Sequence, residues 1–387
     1  MGLIRDGIAA LEDSPIADVW RLGLDVPGLI GLCGGEPDMP TPPFICEAAG
    51  KALADGRTFY APERGIPELR QALAGYHQRL YGLEIPDQRI TVTQSGMNAV
   101  MLVAQAMVQP GDNVVSVTPC WPNILRAMQI NGAMIRQAPL SRGETGWSLD
   151  PGRVLELCDQ RTRVICIASP GNPTGWLLRR EQAAVLLDHA RQHNIALLSD
   201  EVYHRIVYDG NAAFSLLQIA QPGDPVFVIN SFSKSWAMTG WRIGWMIHPD
   251  GLAPAMEKLI RFNTSGGQPF LQYGAIAALR EGEEFVSYFV ERCRRGRDVV
   301  NERLARMKRI HNIPGNAGFC AMFEISGVMD TLTFCRRAVT EAGIGLAPGI
   351  AFGRGAERMV RLCYARAPEL LHSAMDRLEP FVSDYRA

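Results

Sequence analysis

The stretch VFVINSFSKSWAMTGWRIGW, residues 226–245, opens on an apolar run and then holds a single lysine, Lys234, with an arginine eight positions further on. VFVINS reads as a buried parallel β-strand, a short apolar run without the polar alternation of a half-exposed one. A lysine in the Ser-rich loop that follows is ordinarily a solvated surface charge. Two more apolar runs change that reading: VICIAS from Val164 and IALLSD from Ile195. The three recur at about the 30-residue spacing of βαβ units. Between the first two, RREQAAVLLDHARQHN carries a helical stripe of Ala183, Leu186, Leu187 and Ala190. NVVSV from Asn113 and MIRQAPL from Met134 read as further strands. The expected fold class is therefore α/β, a mainly parallel sheet with helices on its faces.

Ligands of such sheets bind beyond the carboxyl ends of the strands. Here the three runs lead into SPGNPTG, SDEVY and SFSK, so Asn172, Asp200, Tyr203, Ser231 and Lys234 are expected to converge on one crevice. Any one of them alone reads as a turn residue or cap. Their joint placement at one sheet edge points to a site.

The last hundred or so residues differ in texture. YGAIAALREGEEFVSYFVERCRRGRDVVNERLARM has long helical periodicity, followed by a strand-and-turn stretch, AGFCAMFEISG, and a Gly-rich loop, GIGLAPGIAFG. We expect a smaller α+β domain hinged by a long helix. The boundaries read as 46–285 for the large domain, with 1–45 and 286–387 together forming the small one.

Composition narrows the function. Lys and Arg number 39 against 40 Asp and Glu, which leaves no basic field for nucleic acid and no polybasic membrane anchor. The nine cysteines are scattered and free of any C-x-x-C pair, as expected of reduced thiols in a cytoplasm, and no metal-ligand set is read. The first residues, MGLIRDGIAALED, show no export or lipidation signal, and no apolar run approaches the ~20 residues needed to span a bilayer. Small-molecule chemistry is the expectation.

Eight segments together carry a family resemblance: GGEPDMPTP, FYAPERGIPELRQAL, VTQSGMNAV, SPGNPTG, SDEVYHRIVYDG, SFSKSWAMTGWRIGW, APGIAFG and VRLCYA. In order and spacing the chain resembles the class I/II aminotransferases of pyridoxal phosphate (PLP) fold type I, from about residue 10 onward. The resemblance implies that Lys234 holds PLP as a Schiff base and, once freed, moves the substrate proton. Chemistry agrees, since such an amine needs its pKa lowered by desolvation or a nearby cation, for which Arg242 is the candidate. Asp200 matches the carboxylate that keeps the pyridine nitrogen protonated, and Tyr203 with Asn172 the pair that shares the 3′ oxygen. Amides near Ser95, Gly96 and Met97, with Ser231, Ser233 and Arg242, would cradle the phosphate. Met97 departs from the Ser or Thr common in the family and removes one hydroxyl from that cradle. Trp121 falls where an aromatic stacks on the cofactor ring, although a tryptophan between two prolines also suits a core anchor. Arg361 matches the fork that grips the substrate α-carboxylate, with Gly35 adding a backbone N–H. Arg366 reads as a surface charge. Tyr60 and Thr264 match positions that reach the cofactor phosphate of a partner subunit, implying a homodimer.

The expected function is a ping-pong aminotransferase acting on an L-amino acid, neutral or aromatic, and a 2-oxo acid. Side-chain selectivity would involve loops of both subunits and the N-terminal SPIADVW, a candidate cover for the pocket. The same residues serve C–S β-lyases and ring-forming or decarboxylating PLP enzymes, so those alternatives stay open. A ligand-sensing regulator is disfavoured, because only about ten residues precede the first motif and no basic excess exists. A nicotinamide dehydrogenase fails, since no G-x-G-x-x-G follows any expected strand.

Overall fold

A computed structural model describes residues 3–143 and 146–386. Seven strands form the large sheet: β1 (Ile90–Thr93), β2 (Asn113–Thr118), β3 (Met134–Pro139), β4 (Thr162–Ala168), β5 (Ala196–Asp200), β6 (Val226–Ser231) and β7 (Gly244–Ile247). Their order across the sheet is β1-β7-β6-β5-β4-β2-β3. Only β7 runs antiparallel, wedged between β1 and β6. The fold is thus the expected α/β class with a mostly parallel sheet. Each of the three apolar runs is buried along its whole observed strand apart from Arg163, as helices on both faces require.

The helix between β4 and β5 spans Arg180–His193 and turns Ala183, Leu186, Leu187 and Ala190 inward. It stops at Asn194, which takes the left-handed conformation at φ 52°. That residue type tolerates the conformation better than most.

A second, antiparallel sheet is built from β8 (Ile310–Ile313), β9 (Cys320–Ile325), β10 (Ala347–Pro348) and β11 (Met359–Cys363), in the order β8-β9-β11-β10. Ile30–Gly31 pairs in parallel with Ile344–Gly345. Val19, Ile30 and Leu32 accordingly pack into a core drawn largely from residues 289–385. This pairing delivers the segment 31–36 to the edge of the large sheet, where it crosses the site.

One expectation needs correction. The long helical periodicity is two helices, Pro269–Glu281 and Glu283–Arg306, separated at Gly282. A Cβ at Gly282 would collide with the Ala278 carbonyl and lie 2.7 Å from Nε1 of the buried Trp236. Glycine is required there by close packing.

Candidate active site

The carboxyl ends of β4, β5 and β6 open onto one cavity of about 270 Å³. Strand β5 ends at Asp200, and the turn after it carries Tyr203. Strand β6 ends at Ser231, and a single helical turn, Phe232–Ser235, presents Lys234. Beyond β1, Ser95 caps the helix Gly96–Met107 by accepting a 3.1 Å hydrogen bond from the Asn98 amide. Gly35, Gly96, Met97, Trp121, Asn172, Asp200, Tyr203, Ser231, Lys234, Arg242 and Arg361 all line this cavity, as does Ser233. The structure therefore brings together residues spread over more than three hundred positions of sequence.

Three expected site residues lie elsewhere. Ser95 stands behind the cavity as the helix cap. Tyr60 and Thr264 line a separate surface groove, where Phe59 and Tyr60 are 83% and 93% exposed.

The electrostatics follow from burial. Lys234 donates from Nζ to the Gly35 carbonyl at 2.6 Å. Burial pushes its amine below the ordinary lysine range; Cys363 and Cys320 oppose that shift, and the Arg361 guanidinium adds to it. The neighbouring cation is thus Arg361. Arg242, the expected candidate, is an exposed residue whose guanidinium donates to the Thr239 carbonyl at 2.6 Å. Asp200 is pushed up to about 6 by burial, against the opposing pull of the Val202 amide and the Lys234 charge. Burial likewise raises the Tyr203 phenol.

Arg361, only 3% exposed, donates from Nη1 to Asn172 Oδ1 at 3.1 Å and from Nη2 to the Cys33 carbonyl. Its guanidinium carbon lies 4.9 Å from the centroid of the buried Phe352 ring. A Cβ on Gly35 would stand 3.7 Å from the Tyr203 hydroxyl and 3.8 Å from Arg361 Nη1. A side chain there would project into the space between them.

Arg366 corrects an expectation. It is 7% exposed, not a surface charge, and donates to the carbonyls of Gly31, Glu36 and Ala365. Sequence reading also missed Phe352 and the Cys33 carbonyl. The quoted APGIAFG held the first without a role for it, and nothing local marks the second. Ile16, from the quoted SPIADVW, does line the cavity.

Pyridoxal phosphate is an aldehyde on a phenolic pyridine ring with a phosphate arm, and these residues fit it. The Tyr203 hydroxyl is buried and has no hydrogen-bond partner among the described residues. Asp200 is a buried carboxylate whose only hydrogen bond there is the Val202 amide. Both face a cavity that also holds the half-buried Lys234 amine and a helix N-terminus. Unsatisfied buried polar groups of this kind are costly unless a ligand completes them.

Comparison with known proteins points the same way. Residues 27–378 match the family model for aminotransferase class I and II. An aspartate aminotransferase of Pyrococcus horikoshii is 33% identical over 383 residues, covering 97% of this chain and 96% of that protein. An aromatic-amino-acid aminotransferase of Thermococcus litoralis is 30% identical over 390 residues, covering 98% of each. The solved structure of Thermus thermophilus aspartate aminotransferase with maleate superposes with a TM-score of 0.91 at 32% identity, covering 98% of this chain and 100% of that one. Members of this family use pyridoxal 5′-phosphate, and the chain's own residues suit it. The protein belongs to the class I and II aminotransferases and is a PLP-dependent transferase.

Proposed function

We propose that this aminotransferase exchanges an amino group between a neutral or aromatic L-amino acid and a 2-oxo acid, in a ping-pong cycle at the crevice beyond β4, β5 and β6. One observation carries the reading: Lys234, Asp200 and Arg361 share a single cavity whose remaining wall includes the apolar side chains of Ile16, Met97, Val100 and Trp121. That wall suits an uncharged substrate side chain.

Bound PLP supplies an electron sink that lets a substrate Cα–H bond ionise. Lys234 would hold the cofactor through Nζ and would carry the proton at the substrate Cα. Asp200 would keep the pyridine nitrogen protonated, and Tyr203 and Asn172 would hold the ring oxygen. Amides at Ser95, Gly96 and Met97, with Ser231, Ser233 and Arg242, would hold the phosphate. Trp121, which lines the cavity, would hold the ring by stacking. Arg361 takes the substrate α-carboxylate as a planar fork, and the Gly35 N–H joins it.

The exposed Phe59 and Tyr60, beside Thr264, favour a homodimer in which these residues serve the partner's site. The core that joins Val19, Ile30 and Leu32 to residues 289–385 favours a division at 46–285 and 1–45 plus 286–387. All nine cysteines are unpaired, which favours a cytoplasmic protein. No helix among the described residues is long and apolar enough to cross a membrane.

A panel of amino donors offered with 2-oxoglutarate or pyruvate, read by product mass, tests the substrate reading. Turnover confined to acidic donors would refute it.

A further inference from the structure

The segment Gly31–Glu36 crosses the site and touches it twice. Its Cys33 carbonyl receives Arg361, and its Gly35 carbonyl receives Lys234. It contains three glycines, so nothing intrinsic to it fixes its path. Its position is set by the Leu32 amide, which donates to the Gly345 carbonyl at 2.8 Å, and by what holds the carbonyls of Gly31, Leu32 and Glu36.

Those carbonyls are held from the strand β11 and the residues just after it. The Leu32 carbonyl accepts the Cys363 amide at 2.9 Å. The Gly31 carbonyl accepts from Arg366 Nε at 3.3 Å and Nη2 at 3.0 Å, and the Glu36 carbonyl accepts from Arg366 Nη1. One guanidinium thus spans both ends of the segment. No hydrogen bond joins it to a carboxylate among the described residues, so its donors are spent on backbone. A buried arginine that holds backbone carbonyls in place of an ion pair fixes geometry, because the planar fork sets both distance and angle.

We infer that Arg366 is a positioning residue: it staples the 31–36 segment across the site, so that Gly35 and Arg361 are set for the substrate α-carboxylate. The inference rests on the reading of Arg361 and Gly35 as the carboxylate site. Arg361 grips the middle of the segment and Arg366 its ends, so loosening Arg366 lets Cys33 and Gly35 drift away from Arg361. Lysine at 366 keeps the charge but, as a single ammonium, cannot reproduce the fork between Gly31 and Glu36.

The test uses the holoenzyme and three variants, Arg366→Lys, Arg366→Met and Arg361→Lys. Both Arg366 variants should raise KM for the amino acid and weaken binding of 3-phenylpropionate, a carboxylate without an amine, by roughly tenfold, while kcat changes much less. Amide exchange should quicken in peptides covering 31–36 and stay unchanged in the helix Glu283–Arg306. A merely structural arginine would instead lower kcat and quicken exchange broadly. Unchanged KM in the Arg366 variants, with KM raised by Arg361→Lys, overturns the stapling role alone. Unchanged KM in Arg361→Lys overturns the carboxylate reading beneath it. If neither Arg366 variant folds, the unaltered holoenzyme decides: 3-phenylpropionate should slow exchange at 31–36, and failure to do so overturns the proposal.

Discussion

Lys234 and Gly35, 199 positions apart, are joined by a 2.6 Å hydrogen bond from the lysine Nζ to the glycine carbonyl. Lys234 is half-buried, and desolvation lowers the pKa of its amine. A partly desolvated amine gives up its proton and attacks a carbonyl more readily than a solvated lysine does. Borohydride reduction of the holoenzyme followed by peptide mapping should therefore place the cofactor on Lys234. Lys234→Ala should retain cofactor through the phosphate contacts yet lose about 10²- to 10⁴-fold or more in kcat. Label on any other lysine would remove Lys234 from the site.

Asp200 makes a prediction about pH. Its pKa in the folded, cofactor-free protein is about 6, above the ordinary 3.8, with burial as the main cause. The folded state thus prefers the protonated acid. The stability this lends is complete below about pH 4 and is lost as pH rises through about 6. Asp200→Asn removes the loss, so the cofactor-free variant should exceed the unaltered protein in stability at pH 7.5 by something on the order of 3 kcal/mol, with little difference near pH 4. With cofactor, the same variant should lose at least about a hundredfold in kcat. Thermal melts of both cofactor-free proteins at the two pH values check the first half, and a stability difference independent of pH would contradict it.

These two residues were legible in the sequence because each follows an apolar run that leads to the same sheet edge. Local pattern carries that much information: a fully buried strand announces itself, and its next few residues must lie where the sheet ends. Residues whose role depends on distant backbone were not legible. Arg366 looks like a solvated charge just before the helix Pro368–Asp384, and its Gly31 and Glu36 partners lie 335 and 330 positions away. Gly282 sits inside unbroken helical periodicity, and only the packing of Trp236 reveals the break. Nearness in sequence makes Arg242 the expected cation beside Lys234. Arg361 takes that place because β11 is near in space.

Arg361 should govern substrate binding. Its fork is aligned by Asn172 and the Cys33 carbonyl and lies against the Phe352 ring, so its direction is set before a substrate arrives. Losing a buried charge-assisted contact typically costs ~2 to 5 kcal/mol. Arg361→Ala should therefore reduce kcat/KM for amino acids by about 10²-fold or more, chiefly through KM. Arg361→Lys should recover only part of this, because an ammonium cannot bind a carboxylate through two parallel bonds. Steady-state kinetics on both half-reactions settle the matter, and unchanged constants for every amino acid would place the carboxylate elsewhere.

Tyr60 and Thr264 make the last prediction. Both lie in a groove apart from the cavity that holds Lys234, and Tyr60 is 93% exposed in the single chain. If each serves the partner's cofactor, a variant lacking both is damaged at the site of the other subunit. Mixing Lys234→Ala with the double variant Tyr60→Ala, Thr264→Ala should then restore activity. In a mixed dimer one site inherits both defects, while the other combines an intact Lys234 with the intact Tyr60 and Thr264 of its neighbour. With random exchange at equal concentrations, about half the dimers are mixed and each has one working site, so recovery should approach roughly a quarter of the unaltered activity. Native mass spectrometry confirms that exchange has occurred. Activity no greater than the sum of the two parents, once exchange is confirmed, would mean that each subunit completes its own site.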